Sequence, residues 1–325
     1  NTRAIKAVRY LLLKTGDPQL KKDMLEYTES WVKVAMDTLK GKPAGIIPAS
    51  VRFPDEAING DGKNWYEANM YWDYFEWEAN VGSMMLDQIL FMYKMTGDES
   101  LLAPFYATLE LIELFSDVEG DPNQFVKGSS QWAVALLKQD RGFWNVISQW
   151  RLETGNDQYD SLILKYGNDY LKYRISGNER YLIQGFETVL ESVRYNYPLL
   201  TSEVLVTDRV YVRGADHLKG MLTGDGSNQS TSPYFAVTYE DTRETFTALV
   251  NEASDQCLKI DVFSFEDKEY LINLRLWKLK PGKYQMTMRV GEYQKKIPFV
   301  IKMKGHRLNI NLPGYQLCLI EIQPV

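Results

Sequence analysis

The chain is poor in the residues that build the commonest metal and redox centres. Its 325 residues include two histidines, His217 and His306, and two cysteines, Cys257 and Cys318. Histidines so few and so far apart make a multi-histidine zinc centre unexpected, and no EF-hand loop spacing offers an oxygen cage for calcium. No metal and no cofactor is expected. The cysteines fall in "QCLKIDVF" and "QLCLIEI", both strand-like. Each is either a buried core thiol or half of a bridge between neighbouring strands, which leaves the redox compartment open. Lysine and arginine form no cluster and the formal net charge is −6. Phosphate binding needs a basic footprint, so nucleic acid is not an expected partner. No apolar run reaches the roughly 18 residues that a membrane-spanning helix requires. Gly-rich phosphate loops, nucleophile elbows and CxxC pairs are also missing.

An initiator methionine and a leader are absent too. The chain starts at Asn1 and enters the helical "RAIKAVRYLLLK" almost at once. The expectation is a fragment or processed form, with an N-terminal part of the same polypeptide missing.

Aromatic side chains are abundant, with 21 Tyr and 8 Trp. Rings with polar tips suit ligands that have both hydroxyls and apolar faces, which describes sugars. The bias is densest in "NGDGKNWYEANMYWDYFEWEAN", residues 59–80, where three tryptophans, four other rings and five carboxylates share one segment. A core avoids unpaired carboxylates and an ordinary solvated face avoids runs of large rings.

The chain changes period near its middle. Up to about Tyr197 apolar residues recur at three- and four-residue intervals, the helical pattern, in about seven helices. Their joints are alike: "KTGDPQL", "MTGDESL", "ETGNDQY" and "ISGNERY". Each has a Gly where a helix ends in a left-handed turn, then Asp or Asn to cap the next helix. A hairpin that is apolar on one side must stack on others, so an α/α solenoid or closed toroid is expected. Past "NYPLLTSEV" the period becomes two, in eight or nine short runs such as "CLKIDVFSF", "YLINLRLWKL" and "LCLIEIQ". That spacing predicts an antiparallel β-sandwich. The chain is thus expected to be α+β with two domains, 1–199 helical and 200–325 sandwich.

Helical hairpins with "TG(D/N)" joints, followed by a sandwich ending "LRLWKLKPGKYQM…INLPGYQLCLIEI", resemble the six-hairpin glycosidases and the related α/α-toroid polysaccharide lyases. A complete six-hairpin toroid has twelve helices, so the resemblance implies a partial toroid here, or one completed by residues before Asn1. It also implies a groove at one end of the barrel, where rings stack on sugars and carboxylates do acid/base work.

The long connection "PASVRFPDEAINGDGKNWYEANMYW" is the expected lip of such a groove, because connections of this length are often functional. Glycosidic hydrolysis uses two carboxyl groups about 5 Å apart for retention or roughly 6.5–9.5 Å apart for inversion. The acids to consider are Asp73, Glu76 and Glu67, with Trp65, Tyr66 and Trp72 as stacking platforms and Asn64 as a polar contact. "GSSQW" and "DRGFW" add Gln131, Trp132, Asp140, Arg141 and Trp144, of which Trp132 and Trp144 fit core packing about as well. A lyase would instead need a Tyr or His base and a positive group facing a uronate, so that His217, Arg209 or Arg141 should line the groove. A non-catalytic glycan-binding module is the third alternative. The expected partner is a poly- or oligosaccharide, and the expected location is secreted or periplasmic in a bacterium.

Overall fold

A computed structural model describes residues 4–52, 54–58, 62–67, 81–196, 215–226, 234–240 and 245–325. It is α+β, with ten α-helices and antiparallel sheets among the described residues. The chain divides into two compact units, Asn1–Gly167 and Asn168–Val325. The boundary expected at 199/200 lies outside the described residues.

The first unit holds α1 (Ile5–Thr15), α2 (Pro18–Met36), a two-stranded ladder of β1 (Val51–Arg52) and β2 (Ala57–Ile58), α3 (Val81–Thr96), α4 (Ala103–Leu114), α5 (Ser130–Gln139), α6 (Arg141–Thr154) and α7 (Asp160–Tyr166). The second holds α8 (Asp169–Ser176), α9 (Arg180–Asn196) and α10 (Ala215–Thr223), then β3 (Val237–Tyr239), β4 (Phe246–Ala253), β5 (Leu258–Ser264), β6 (Tyr270–Leu276), β7 (Gly282–Val290), β8 (Tyr293–Ile301), β9 (His306–Leu312) and β10 (Leu317–Pro324).

The repeated joints work through hydroxyls as well as glycines. At the first, the Thr15 hydroxyl donates to Leu11 O (2.8 Å) and accepts from Asp17 N (3.3 Å). Gly16 takes φ +65°, and the Asp17 carboxylate accepts from Gln19 and Leu20 N–H. The same relay recurs at Thr96–Asp98, Thr154–Asn156 and Ser176–Asn178. A fifth copy, Thr223–Asp225, ends α10 and leads into the sheets. Sequence reading missed it because no helix was expected there.

In the first unit α3 and α6 are the inner helices. Residues 143–150 of α6 are buried without a break, which is why its sequence shows rings on every side. Trp144 stacks on Tyr166 at 5.0 Å, and Trp150 stacks on Phe105 at 6.0 Å. A buried polar chain crosses this core. Arg9 on α1 pairs with Asp87 on α3 at 2.6 Å and donates to the Gln88 side chain at 2.7 Å. Gln88 in turn donates to Thr28 on α2 at 3.1 Å.

In the second unit the strands form a five-stranded sheet, β4-β5-β10-β7-β8, and a three-stranded sheet, β3-β6-β9. Alternate residues of both sheets, among them Val250, Ile260, Ile272, Leu274, Ile310 and Ile320, share one apolar core. The segment "ADHLKGMLT" forms α10 and packs with α8 and β4. Tyr170 and Tyr173 on α8 donate to Val250 O (2.8 Å) and Asn251 Oδ1 (2.6 Å).

Both cysteines are free thiols. The β5–β10 register sets Cys318 opposite Val262, whereas Cys257 precedes Leu258, which pairs with Ile322 at the other end of the ladder. A bridge is therefore out of reach. Burial pushes the Cys318 thiol up to about 11.

Removing one partner of a buried ion pair strands the other charge, so Arg9→Met is expected to cost about 3–5 kcal/mol in urea unfolding. The double variant Arg9→Met/Asp87→Leu should recover most of that loss, because no charge is then left buried.

Candidate functional site

The connection from α2 to α3 is held down at its start by a buried amine. Lys42 donates through Nζ to Ala35 O (2.6 Å) and Pro43 O (3.0 Å), closing the C-terminal end of α2. Gly45, at φ +85°, lies where a Cβ would strike the backbone of Thr108, and its N–H also donates to Ala35 O. Lys33 pairs with Glu56, and Lys40 donates to Gly62 O.

Residues 62–67 of this connection meet the start of α5. Ala49 N–H donates to Trp65 O (3.0 Å), and the Trp65 indole donates to Gly128 O (3.1 Å). Trp65, Tyr66 and Trp132 form a triangle of rings with centroids 5.4–5.9 Å apart. The Lys127 ammonium lies 5.4 Å from the Tyr66 centroid and 6.0 Å from that of Trp132, within cation–π range. Gly128, at φ +85°, sits under the Tyr66 ring, and a Cβ there would run into the ring carbons. Ser129 caps α5 by accepting from Trp132 N–H (3.2 Å). Asn64 donates to the exposed Glu67 carboxylate at 2.7 Å.

The structure thus brings Asn64, Trp65, Tyr66, Glu67 and Trp132 together, with exposed Gln131 one residue before Trp132 on α5. It uses the rings differently from the sequence-based expectation. Trp65 and Trp132 are only 1% and 3% exposed, so they support the loop from inside, and Tyr66 is the half-buried ring at the surface. Asp73, Glu76 and Trp72 lie outside the described residues. Arg141 is exposed at the start of α6, beyond the far end of α5 from Trp132.

Asp140, beside Arg141, is half-buried at the C-terminal end of α5. It caps α6 by accepting from Phe143 N–H (3.1 Å). A Cβ on Gly142 would sit 3.0 Å from Ser83 Oγ and 3.1 Å from Asp140 Oδ1, so the carboxyl and the hydroxyl flank that glycine. Burial raises the Asp140 carboxyl above its ordinary range against the pull of the Phe143 and Gly142 amides. Ser83 lies at the start of α3, three residues past the acidic aromatic stretch. His217 is 2% exposed in the second unit, in edge contact with Tyr170 and Phe186, and Arg209 lies outside the described residues. Among the described residues no cluster of three or more His, Cys, Asp or Glu could hold a metal, and no helix is long and apolar enough to cross a membrane.

No family model and no curated protein matches this chain. Solved structures similar over part of it include KdgF from Halomonas sp., at 9% identity and TM-score 0.16 over 27% of this chain and 88% of that one. A Paenibacillus polymyxa xyloglucanase of GH family 44 with xyloglucan gives 12% identity and TM-score 0.18 over 30% and 18%. A GH27 β-L-arabinopyranosidase from Geobacillus stearothermophilus, in complex with arabinose, gives 10% and 0.20 over 69% and 63%. Likeness at these scores carries neither a fold nor an activity over to this chain.

Lys42 makes the anchoring of the connection measurable. Burial pulls its amine from 10.5 down to about 8, opposed by the Asp37 carboxylate. Between those values the unfolded chain binds more protons, so folding stability should rise with pH from about 8 to 10, by on the order of 2 kcal/mol. Unfolding titrations of Lys42→Met should show that slope flattened.

Proposed function

We propose that this is a carbohydrate-active protein that grips a poly- or oligosaccharide at the surface formed by Tyr66, Glu67, Lys127 and Gln131. The observation that carries the reading is the half-buried Tyr66 ring, packed against Trp65 and Trp132, with the Lys127 ammonium 5.4 Å from its centroid and the exposed Glu67 carboxylate next in sequence. A fixed ring beside hydrogen-bonding groups is the arrangement a sugar needs, since its apolar face stacks while its hydroxyls are satisfied. Within this reading the helical unit is a partial α/α toroid of hairpins and the two sheets are a β-sandwich.

The reaction we favour is glycoside hydrolysis by paired carboxylates, with Asp73, Glu76 and Glu67 as the acids to test. Asp140, at the other end of α5 from Trp132, is a further acid to test, because burial shifts its carboxyl upward, the direction that suits a general acid. The lyase alternative loses His217, which is buried in the second unit, and would have to take a tyrosine as its base. A polymer substrate would place the protein outside the cytoplasm, secreted or periplasmic.

The test is a glycan-binding and degradation screen on the wild type beside Tyr66→Ala and Asp73→Ala/Glu76→Ala, reading both reducing ends and unsaturated products. The expected result is new reducing ends, weakened by roughly tenfold or more in Tyr66→Ala on loss of a stacking ring and abolished in the acid variant. Unsaturated ends would establish a lyase, and binding without product a glycan-binding module. Absence of binding in the wild type would overturn the reading.

A further inference from the structure

A cavity of about 670 Å³ opens in the sheet unit. Its two walls are of different kinds. On β7 and β8 the lining residues alternate: Met286, Met288 and Val290 on one strand, Tyr293, Lys295 and Ile297 on the other. They are paired across the hairpin as Met286–Ile297, Met288–Lys295 and Val290–Tyr293. Residues of one parity share one face of a sheet, so this wall is the inner face at the outer end of the five-stranded sheet. On β9 the lining residues are consecutive, Asn309, Ile310 and Asn311. A consecutive run marks the edge of a strand rather than its face.

The register shows which groups that edge presents. Glu240 N–H donates to Asn273 O at 2.9 Å, so the backbone polar groups of Asn273 on β6 point toward β3. Asn273 and Leu271 lie opposite Asn309 and Asn311. In an antiparallel ladder these are then the non-hydrogen-bonded pairs, and the N–H and C=O of Asn309 and Asn311 point away from β6, into the cleft. Among the described residues no strand pairs with that edge.

The other sheet margins are managed differently. β8 carries Lys295, Lys296 and Pro298, the charges and proline that discourage edge pairing, and α10 packs against β3 and β4. The Asn309–Asn311 edge has no proline or lysine and borders an apolar floor.

We propose that this cleft is a docking site for one extended peptide strand of a partner protein. The strand adds to β9 through the N–H and C=O of Asn309 and Asn311. Its alternate apolar side chains cover Met288 and Ile297, and a carboxylate on it meets the exposed Lys295. That lysine is on the opposite wall from the cleft's own acid, Glu269, where a lysine of the strand would sit. Strand addition takes affinity from the main chain and specificity from alternate side chains, the two features these walls separate. Met286 and Met288, two residues apart on β7, give the floor a shape that adapts to different side chains. This site is independent of the proposed glycan surface.

The test uses the peptide acetyl-Thr-Val-Thr-Val-Glu-Val-Thr-amide at up to ~1 mM, read by calorimetry and by amide hydrogen exchange. The expected result is binding with slowed exchange at Asn309 and Asn311, and none with the same peptide N-methylated on alternate amides. Asn309→Pro removes an outward N–H while leaving the β6 ladder intact, and Met288→Lys places a charge on the floor. Each should weaken binding roughly tenfold or more with far-ultraviolet circular dichroism unchanged. Failure of the wild type to bind, or binding that Asn309→Pro leaves untouched, would overturn the proposal. A concentration-dependent dimer abolished by Asn309→Pro would overturn it in favour of a second copy of this chain.

Discussion

The first unit depends on one buried charge being answered. Arg9 reaches from the first helix into the core, where it is 3% exposed, and Asp87 meets it there at 1%. An arginine cannot shed its proton, so its burial demands a fixed acceptor geometry, supplied by Asp87 and the Gln88 carbonyl. Gln88 then needs its own partner and finds Thr28. A single cation therefore sets the register of α1, α2 and α3 together, which apolar stripes alone would fix less tightly. The α2–α3 connection that carries the ring cluster is strung between two of those helices.

The joints between helices were legible because their chemistry is local. Gly at φ +65° to +76° and an Asp or Asn cap appear at Gly16, Gly97, Gly155 and Gly177, and both are determined by a few consecutive residues. Strands β4 to β10 were legible for a similar reason, since period two survives wherever one face is buried. Less was visible where burial is complete. Eight buried residues in a row on α6 erase the stripe that marks an amphipathic helix, so the sequence left Trp144 open between groove and core, and the structure packs it on Tyr166. The helix α10 hid in a polar stretch whose burial comes from contacts with α8 and β4, remote in sequence.

Within the candidate site, proximity was readable but orientation was not. The ring-rich loop and the "GSSQW" segment were both marked as groove residues, and Trp65 and Trp132 do meet. Which ring faces solvent is decided by Gly128, whose missing side chain makes room for Tyr66, and by the Trp65 indole reaching a carbonyl 63 residues away. Composition could not reveal either. The upward shift of the Asp140 pKa was equally hidden, because burial causes it while the local sequence reads as an ordinary helix cap.

The sheet unit shows how a strand's edge and a strand's face answer to different rules. Faces are written in the sequence as alternation, and the apolar parity of β7 and β8 continues to Val290 and Tyr293, past the point where the facing sheet covers it. Edges are written in hydrogen-bond register, which alternation does not encode. The side chains of Asn309 and Asn311 look like the solvent face of a strand, and so they are. Their main-chain groups face sideways into a recess with an apolar floor, and a backbone donor or acceptor beside such a floor gains most from a partner that excludes water. An added strand meets both requirements at once, because its own backbone must be paired and its alternate side chains must be buried.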